Sequence, residues 1–490
     1  MVISSWIRYK GTKQVESNVS TIAVLAERSC DLGSLVQKAL DIMRVPQDTE
    51  TRTILDERAA IGFVGSLVST GKRLVINEAE GHRVAFVSTE ELLRSTSFQA
   101  EHDKLESSDK ISSILDTFST AALDQCGAWS LLGILESRLI GGRDIIGQCP
   151  LFFGENRGLF GISSCRKALW SLGISSVDPI PTGVIAEFGD ALQNTRKIGE
   201  IIRPKSRRMG MNEAASELIM MITSSIKTLS QDSDRIGVLF SGGLDSSMVA
   251  AIAKNLGLAT TLYTAAFEGS SDVATAEKSA RLLGMKLEAD IIPLGESTDI
   301  LRKVVWETES FDQVQVCVGM PLEVAAHRAS LNGETLLTSG SGADELFGGY
   351  SKYAYTYRAL GTERAEEIMY EDVVRLAGKD LLRDGAIAEA NRVRLTAPFL
   401  NLNLVRFGLE IPLELKLQGD VRKKVLRRAA EMVGIPKEIV DMPKKAAQYS
   451  SKSLTVVERL AKKQNSSLQG YLERIFCEVF PNRSETFKAR

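Results

Sequence analysis

Ten residues, Val238–Ser247 (VLFSGGLDSS), carry the ingredients of an anion site. Val238, Leu239 and Phe240 close an apolar run, Ile236–Phe240, of the length of a buried parallel strand. Ser241, Gly242 and Gly243 then bend the chain and leave backbone N–H groups uncovered. Leu244–Lys254 reads as a helix, favoured by Ala250, Ala251 and Ala253. At such a strand-to-helix turn the free N–H groups and the positive helix end converge on one point. Ser241, Ser246 and Ser247 add hydroxyl donors. Asp245 puts a carboxylate where phosphate is expected, which makes sense mainly if it holds a divalent cation bridging phosphate groups. The segment is not a Walker A loop, because G-x-x-x-x-G-K-S/T is absent, and it is not G-x-G-x-x-G.

A second glycine-rich segment, Thr338–Tyr350 (TSGSGADELFGGY), also follows an expected strand, Thr335–Ser339. Gly340 and Ser341 lie in its turn, and Asp344 and Glu345 stand at an expected helix start. A carboxylate at Asp344, across from Asp245, is what a magnesium ion on pyrophosphate would need; a plain helix cap is the competing role. Thr261–Phe267 (TLYTAAF) reads as the neighbouring strand. Its end falls at the edge where open α/β sheets bind ligands, so the backbone of Ala266 and Phe267 is placed to read an adenine edge.

These loops need a parallel sheet to hold them, and the second half supplies the alternation: Asp272–Leu283 as a helix, Lys286–Ile292 as a strand. The first half reads differently. Ala60–Leu67, Arg73–Ile76, Arg83–Val87, Ala128–Ile134, Ser137–Ile140, Leu151–Phe153 and Leu159–Ser163 pattern as strands with short turns, beside a strand at Val2–Tyr9 and helices at Leu32–Met43 and Leu105–Phe118. The basic stretch Ile202–Met211 is the expected linker before a helix at Glu213–Leu229. A length of 490 residues favours two domains, here 1–205 and 206–490. A net charge of −2 gives no reason to expect nucleic acid. The six cysteines contain no C-x-x-C pair, against a zinc site or disulfide framework. With three scattered histidines a His-based triad is not expected. No signal peptide and no run near the ~20 apolar residues of a membrane helix is visible, so a cytoplasmic protein is expected, away from membranes.

The first motif resembles the PP-loop, SGG-x-D-S, of ATP pyrophosphatases, which cleave ATP between the α and β phosphates. The order SGGLDSS, GADELFGGY, PFL (Pro398–Leu400), KKVLR (Lys423–Arg427) and a lysine-bearing loop, MPKKAAQYSSKS (Met442–Ser453), is similar to the asparagine synthetase family, which includes β-lactam and carbapenam synthetases. The resemblance implies ATP and Mg²⁺ as cofactors, with Leu239, Ser241, Gly242, Gly243, Ser246, Ser247, Ala266, Phe267, Gly340, Ser341 and Lys423 around the nucleotide. Asp245 and Asp344 would hold the metal, and Lys444 or Lys445 would lie over the α-phosphate, where a fixed cation lowers the barrier. Lys423 and Arg427 would neutralise pyrophosphate; a solvated helix face, Val421–Val433, is the alternative. The implied reaction is adenylation of a small-molecule carboxylate, an amino acid, followed by attack of ammonia or an amine. A homodimer is the assembly to test. The implied fold is an adenine nucleotide alpha hydrolase-like parallel sheet with a helical C-terminal part.

Gly141–Leu169 (GGRDIIGQCPLFFGENRGLFGISSCRKAL) looks like a stretch of class II glutamine amidotransferase domains, which implies an Ntn-type αββα sandwich and an overall α+β plus α/β architecture. Asp109 matches that family's helix-start aspartate. The nucleophilic cysteine after the initiator Met is replaced by Val2, its arginine aligns with Val45 in RVPQD, and its N-G-E loop falls near Val87–Glu90 without Asn or Gly. An aliphatic side chain cannot attack an amide, so the domain is expected to fold as a glutaminase without hydrolysing glutamine; Cys30 is the rival nucleophile. In the second half Ser341 replaces a glutamate or a glutamate-paired tyrosine, and the pocket segment Glu309–Cys317 (ESFDQVQVC) lacks the family's arginine, for which Arg302 or Arg328 would have to stand in. PFLD becomes PFLN, with Asn401. An amide synthetase that does not use glutamine is the first expectation, an intramolecular cyclase of β-lactam-synthetase type the second, and a non-catalytic nucleotide-binding protein the third.

Overall fold

The computed structural model describes residues 20–26, 30–45, 50–55, 58–65, 74–79, 82–88, 127–135, 138–188, 192–231, 233–443 and 450–481. Contacts divide the chain into two units, Met1–Glu200 and Ile201–Arg490.

In the first unit the described elements are β1 (Ser20–Ala26), α1 (Leu32–Met43), β2 (Glu50–Leu55), β3 (Ala59–Gly65), β4 (Leu74–Ala79), β5 (His82–Ser88), β6 (Ser130–Leu135), β7 (Arg138–Arg143), β8 (Phe152–Asn156), β9 (Leu159–Ser163), α2 (Arg166–Ser171), β10 (Val177–Pro179), β11 (Val184–Phe188) and β12 (Leu192–Lys197). They form two six-stranded sheets, ordered β10-β8-β9-β1-β3-β2 and β12-β11-β7-β6-β5-β4. The sheets face each other across one core: Ala23 and Leu25 of β1 and Ile61 and Phe63 of β3 meet Leu132, Ile134, Leu139 and Phe188 of the second sheet. Strand residues alternate, so Ile22 and Val24 point away from that core, yet they are buried too, because α1 covers the outer face; Val36 and Leu40 of α1 fit over Gly62, where a Cβ would collide with both. Burial on both faces explains the unbroken apolar run of β1.

β1, at the centre of its sheet, and β2 are strands the sequence pattern did not bring out. The expected strand Val2–Tyr9 and helix Leu105–Phe118 lie outside the described residues. The Arg-Asp pair of the GGRD stretch is a structural staple. The Arg143 guanidinium donates to the carbonyls of Gly147, Cys149 and Ile180 at 2.7, 2.8 and 3.1 Å. The buried Asp144 carboxylate accepts from the amides of Ile146, Gly147 and Gln148 at 3.0, 2.6 and 3.0 Å. Burial pushes the Asp144 carboxyl up, opposed by Arg143 and those amides.

The second unit holds α3 (Met211–Leu229), β13 (Arg235–Leu239), α4 (Leu244–Asn255), β14 (Ala259–Phe267), α5 (Asp272–Leu283), β15 (Lys286–Ile292), α6 (Ser297–Thr308), α7 (Gln313–Leu331), β16 (Leu336–Thr338), α8 (Ala343–Phe347), α9 (Ser351–Leu360), α10 (Thr362–Arg375), α11 (Asp380–Ala390), β17 (Arg394–Thr396), α12 (Leu402–Glu410), α13 (Leu413–Lys416), α14 (Lys424–Val433), α15 (Lys437–Val440), α16 (Ser453–Lys463) and α17 (Leu468–Val479). Its sheet has the order β15-β14-β13-β16-β17, with every pair parallel. From β13 the chain builds outward through β14 and β15, then returns to the other side of β13 with β16. The order therefore reverses between β13 and β16, the place where open α/β sheets form a ligand crevice beyond their strand ends. Both glycine-rich loops leave from those two strands.

The helix expected over Val421–Val433 begins only at Lys424, because Lys423 has a left-handed backbone, φ +57°. Among the described residues no helix is long and apolar enough to cross a membrane.

Candidate active site

The loop after β13 is held by its own hydroxyls and by α5. Ser241 Oγ accepts from the Gly243 amide at 3.3 Å and lies 3.3 Å from Ser246 Oγ. Gly242 sits in the left-handed region at φ +75°, with the Ala276 backbone of α5 against it; Ser279 of α5 donates to its carbonyl at 2.8 Å. Leu239, the last residue of β13, is half-buried, and Ser247 in the first turn of α4 is buried with its hydroxyl lacking a hydrogen-bond partner among the described residues.

The loop after β16 closes on the first one. A Cβ at Gly340 would stand 2.8 Å from Asp245 Cβ and 3.0 Å from the Ser246 amide nitrogen, so only glycine lets the two backbones approach this far. Leu400 of the PFL turn packs on Gly342, and Asn401 caps α12 by accepting from the Asn403 amide at 3.1 Å. The Asn in PFLN thus serves the element that props the loop.

Asp245 and Asp344 converge. Between them lies the ammonium of Lys423, 2.7 and 2.5 Å from the two Asp245 carboxylate oxygens and 2.7 Å from Asp344 Oδ1. Lys423 was expected near pyrophosphate; it sits at the cation point itself. Two carboxylates that converge on one cation fit a divalent ion in charge and donor type. Among the described residues no third His, Cys, Asp or Glu completes a metal cluster, so further ligands would come from phosphate and water. Beside Asp344, Glu345 accepts from the Tyr350 hydroxyl at 2.8 Å. Burial and the Asp344 charge push the Glu345 carboxyl up to about 7.

Arg427 is committed elsewhere. Its guanidinium donates to the carbonyls of Arg422, Val440 and Met442, so it braces the approach to the lysine loop instead of facing phosphate. Lys444 and Lys445 lie outside the described residues. The far side of that loop is tied to β14: the Ser450 carbonyl accepts from Ser270 Oγ at 2.7 Å and the Ser451 carbonyl from the Phe267 amide at 3.2 Å. The Phe267 amide is thus committed to the lysine loop, and Ala266 is buried at the same strand end.

Sequence reasoning left Ser341 without chemistry. Its hydroxyl accepts from Ser339 Oγ at 2.9 Å and favours the charged form of the Asp384 carboxyl on α11. Burial pushes the Asp384 carboxyl up, opposed by Arg383, which donates to it at 2.7 Å and to Asp380 at 2.8 Å. No motif could have flagged this group, because it reaches the loop from a helix more than forty residues away. The two arginines that could stand in for the missing pocket arginine make other pairs, Arg302 with Glu478 and Arg328 with Asp290. In the pocket segment Asp312 caps α7, accepting from Val314 and Gln315 amides at 2.9 and 3.0 Å, and burial pushes the Cys317 thiol up to about 12.

In the first unit Val45 is half-buried just past α1, and Cys30 is exposed just before it. Val2, Asp109 and the end of the Val87–Glu90 segment lie outside the described residues.

A family profile described as asparagine synthase matches residues 220–365 and 358–488. A putative asparagine synthetase (glutamine-hydrolyzing) 1 from Methanocaldococcus jannaschii is 31% identical over 376 residues, covering 66% of this chain and 69% of that protein. The asparagine synthetase (glutamine-hydrolyzing) of Cricetulus griseus is 28% identical over 357 residues, covering 66% of this chain and 63% of the relative, so the match spans less than two thirds of that protein. Among solved structures, a glutamine phosphoribosylpyrophosphate amidotransferase from B. subtilis aligns with a TM-score of 0.31 and 12% identity, over 55% of this chain and 65% of that one, which is too weak to carry a fold argument. On the profile and the archaeal relative, the chain belongs to the asparagine synthase family, a family of carbon–nitrogen ligases.

Proposed function

We propose that this protein is an ATP-dependent amide synthetase that forms AMP and pyrophosphate, activates an amino-acid carboxylate as an acyl-adenylate, and transfers it to ammonia or an amine without hydrolysing glutamine. The observation that carries the reading is the convergence of Asp245 and Asp344 on one cation point, from two glycine-rich loops at the switch point of a parallel sheet. Residues 206–490 would do this chemistry, and residues 1–205 would be an Ntn-type αββα domain kept as scaffold. The two facing sheets with α1 outside are consistent with three of those four layers.

The loop residues Ser241–Ser247 would cradle the phosphates through backbone N–H groups and hydroxyls. Asp245 and Asp344 would hold Mg²⁺, which when bound supplies positive charge against the leaving pyrophosphate. Lys444 or Lys445 would steady the charge on the α-phosphate during attack, from a loop braced at one end by Arg427 and at the other by the Ser451–Phe267 bond. Pyrophosphate release, screened over amino acids each with ammonia or glutamine, tests the reading. AMP and pyrophosphate are the expected products; ADP and phosphate would refute it. Glutamine-dependent turnover blocked by a cysteine-reactive glutamine analogue would refute the claim that glutamine is not used.

A second reading, an intramolecular cyclase of β-lactam-synthetase type, takes Ser341 with the Asp384 carboxyl that it influences as the group facing the amine. A hydroxyl backed by a buried carboxylate can take a proton from an amine where serine alone cannot. Turnover of a larger amino acid carrying its own amine, without asparagine formation from aspartate and ammonia, separates the two.

A further inference from the structure

We infer that Lys423 is a resident counter-cation that makes the Asp245–Asp344 site accept a divalent ion only together with the nucleotide's phosphates. The inference rests on the Mg·ATP reading above and adds an order of entry to it.

The ammonium does not graze the two acids; it is seated between them. It contacts both oxygens of Asp245 and one of Asp344 at 2.5–2.7 Å, and the three side chains are 5, 16 and 10% exposed. The surrounding backbone is shaped for this arrangement. Lys423 adopts φ +57°, a conformation disfavoured for any residue with a Cβ, directly before α14. Its carbonyl accepts from the Arg427 amide at 2.8 Å. Gly349 passes so close that a Cβ there would collide with both the Asp344 carboxylate and the Lys423 stem. A solvated helix face would need none of these features.

The charge count then sets the consequence. Two carboxylates and one ammonium leave one net negative charge at the point. A bare dication must displace the ammonium to reach the carboxylates, and among the described residues it finds no third His, Cys, Asp or Glu beside them, where Mg²⁺ demands six oxygens. Displacement alone would leave a buried ammonium without its partners. When the dication arrives on a polyphosphate, the same molecule brings the missing oxygens for the metal and new anionic partners for Lys423, whose flexible stem can follow them. Metal and nucleotide therefore bind as a unit.

The test uses the full chain, Mn²⁺ as the probe and α,β-methylene-ATP as the uncleavable nucleotide, with Mn²⁺ binding read by electron paramagnetic resonance and by shifts in melting temperature. Wild type is expected to bind Mn²⁺ with the analogue and not at the same concentrations without it. Lys423→Met is expected to bind free Mn²⁺ on the order of 100-fold or more tightly than wild type, as removal of one charge about 4 Å away allows, and to gain melting temperature from Mn²⁺ alone. Lys423→Arg should keep the exclusion, and Asp245→Asn added to Lys423→Met should abolish the gained binding. Should Lys423→Met fail to fold, Lys423→Gln removes the same charge while keeping a donor for the carboxylates, and is expected to gain free Mn²⁺ binding in the same direction; unchanged binding overturns the inference. Free Mn²⁺ binding to wild type as tight as to Lys423→Met overturns the inference while leaving the Mg·ATP reading intact. Absence of Mn²⁺ binding even with the analogue overturns that reading, and the inference with it.

Discussion

Among the helix starts of the second unit that carry acidic residues, the nucleotide edge and the start of α7 behave in opposite ways. At the β13 and β16 strand ends, Asp245 and Asp344 turn inward onto one buried cation point. At the start of α7, Asp312 turns onto its own helix and satisfies the Val314 and Gln315 amides. Both helix starts have free N–H groups that a carboxylate could cap. The difference lies in what surrounds them. Gly340 lies against the Cβ and backbone of Asp245, and Gly349 against the Asp344 carboxylate and the Lys423 stem, whereas Asp312 is exposed. At these two places the surroundings separate an acid that caps its own helix from a pair that holds a cation.

The comparison breaks most visibly at Asp245. Asp245→Asn keeps the shape and removes the charge that holds the cation. Pyrophosphate release from ATP with the best acid substrate is expected to fall roughly 10³-fold or more, the scale seen when a charge-stabilising group is removed from a polar active site. A loss under tenfold would place the cation point outside the chemistry. Gly349→Ala comes next. The added methyl must push on the Asp344 carboxylate and the Lys423 stem together, so a loss of about 1–3 kcal/mol of stability is expected from overpacking. Steady-state kinetics should show a further fall in turnover at saturating ATP, on the order of tenfold or more, since misplaced groups cost rate more than binding. Unchanged melting and turnover would mean the close approach is incidental.

How much of this was legible in the sequence follows the same line. SGGLDSS and GADELFGGY were readable because glycines and acids after apolar strands leave few alternatives, and β15, α5 and β9 were bounded correctly from pattern alone. β1 was not, because burial on both faces removes the alternation that marks a strand. Lys423 was legible as a cation near phosphate but not as the clamp between two acids, since a left-handed residue inside an apparent helix leaves no mark in the pattern. Asp384 behind Ser341 and the backbone commitments of Arg427 are tertiary contacts, and nothing local encodes them.

The pocket side can be sharpened through Cys317, the last residue of the segment that starts α7. Burial holds its thiol at about 12 against an ordinary 9.0. The protonated form is therefore favoured in the folded state. Stability from this group is complete below pH 9 and declines as pH rises between about 9 and 12. Alkylation followed by mass spectrometry at pH 8 should label the exposed Cys30 and spare Cys317 until the protein unfolds. Cys317→Ala should remove that part of the alkaline decline in a pH series of denaturant midpoints. Rapid labelling of Cys317 in folded protein would mean the α7 start is open and reactive, and the contrast with the nucleotide edge would weaken.

The smallest expected effect gives the cleanest separation. Asp312→Ala removes a cap that satisfies two amides of the first turn of α7, for which about 1 kcal/mol of stability is the usual loss. Asp312→Asn and Asp312→Ser retain a capping oxygen and should recover most of it, whereas a residue that bound substrate through its charge would not be rescued by either. Pyrophosphate release in all three variants is expected to stay within roughly twofold of wild type, because no part of the cation point depends on that side chain. If Asp312→Asn kept stability but lost turnover tenfold or more, the exposed carboxylate would be a substrate contact, and the contrast between this cap and the glycine-crowded pair Asp245 and Asp344 would fail.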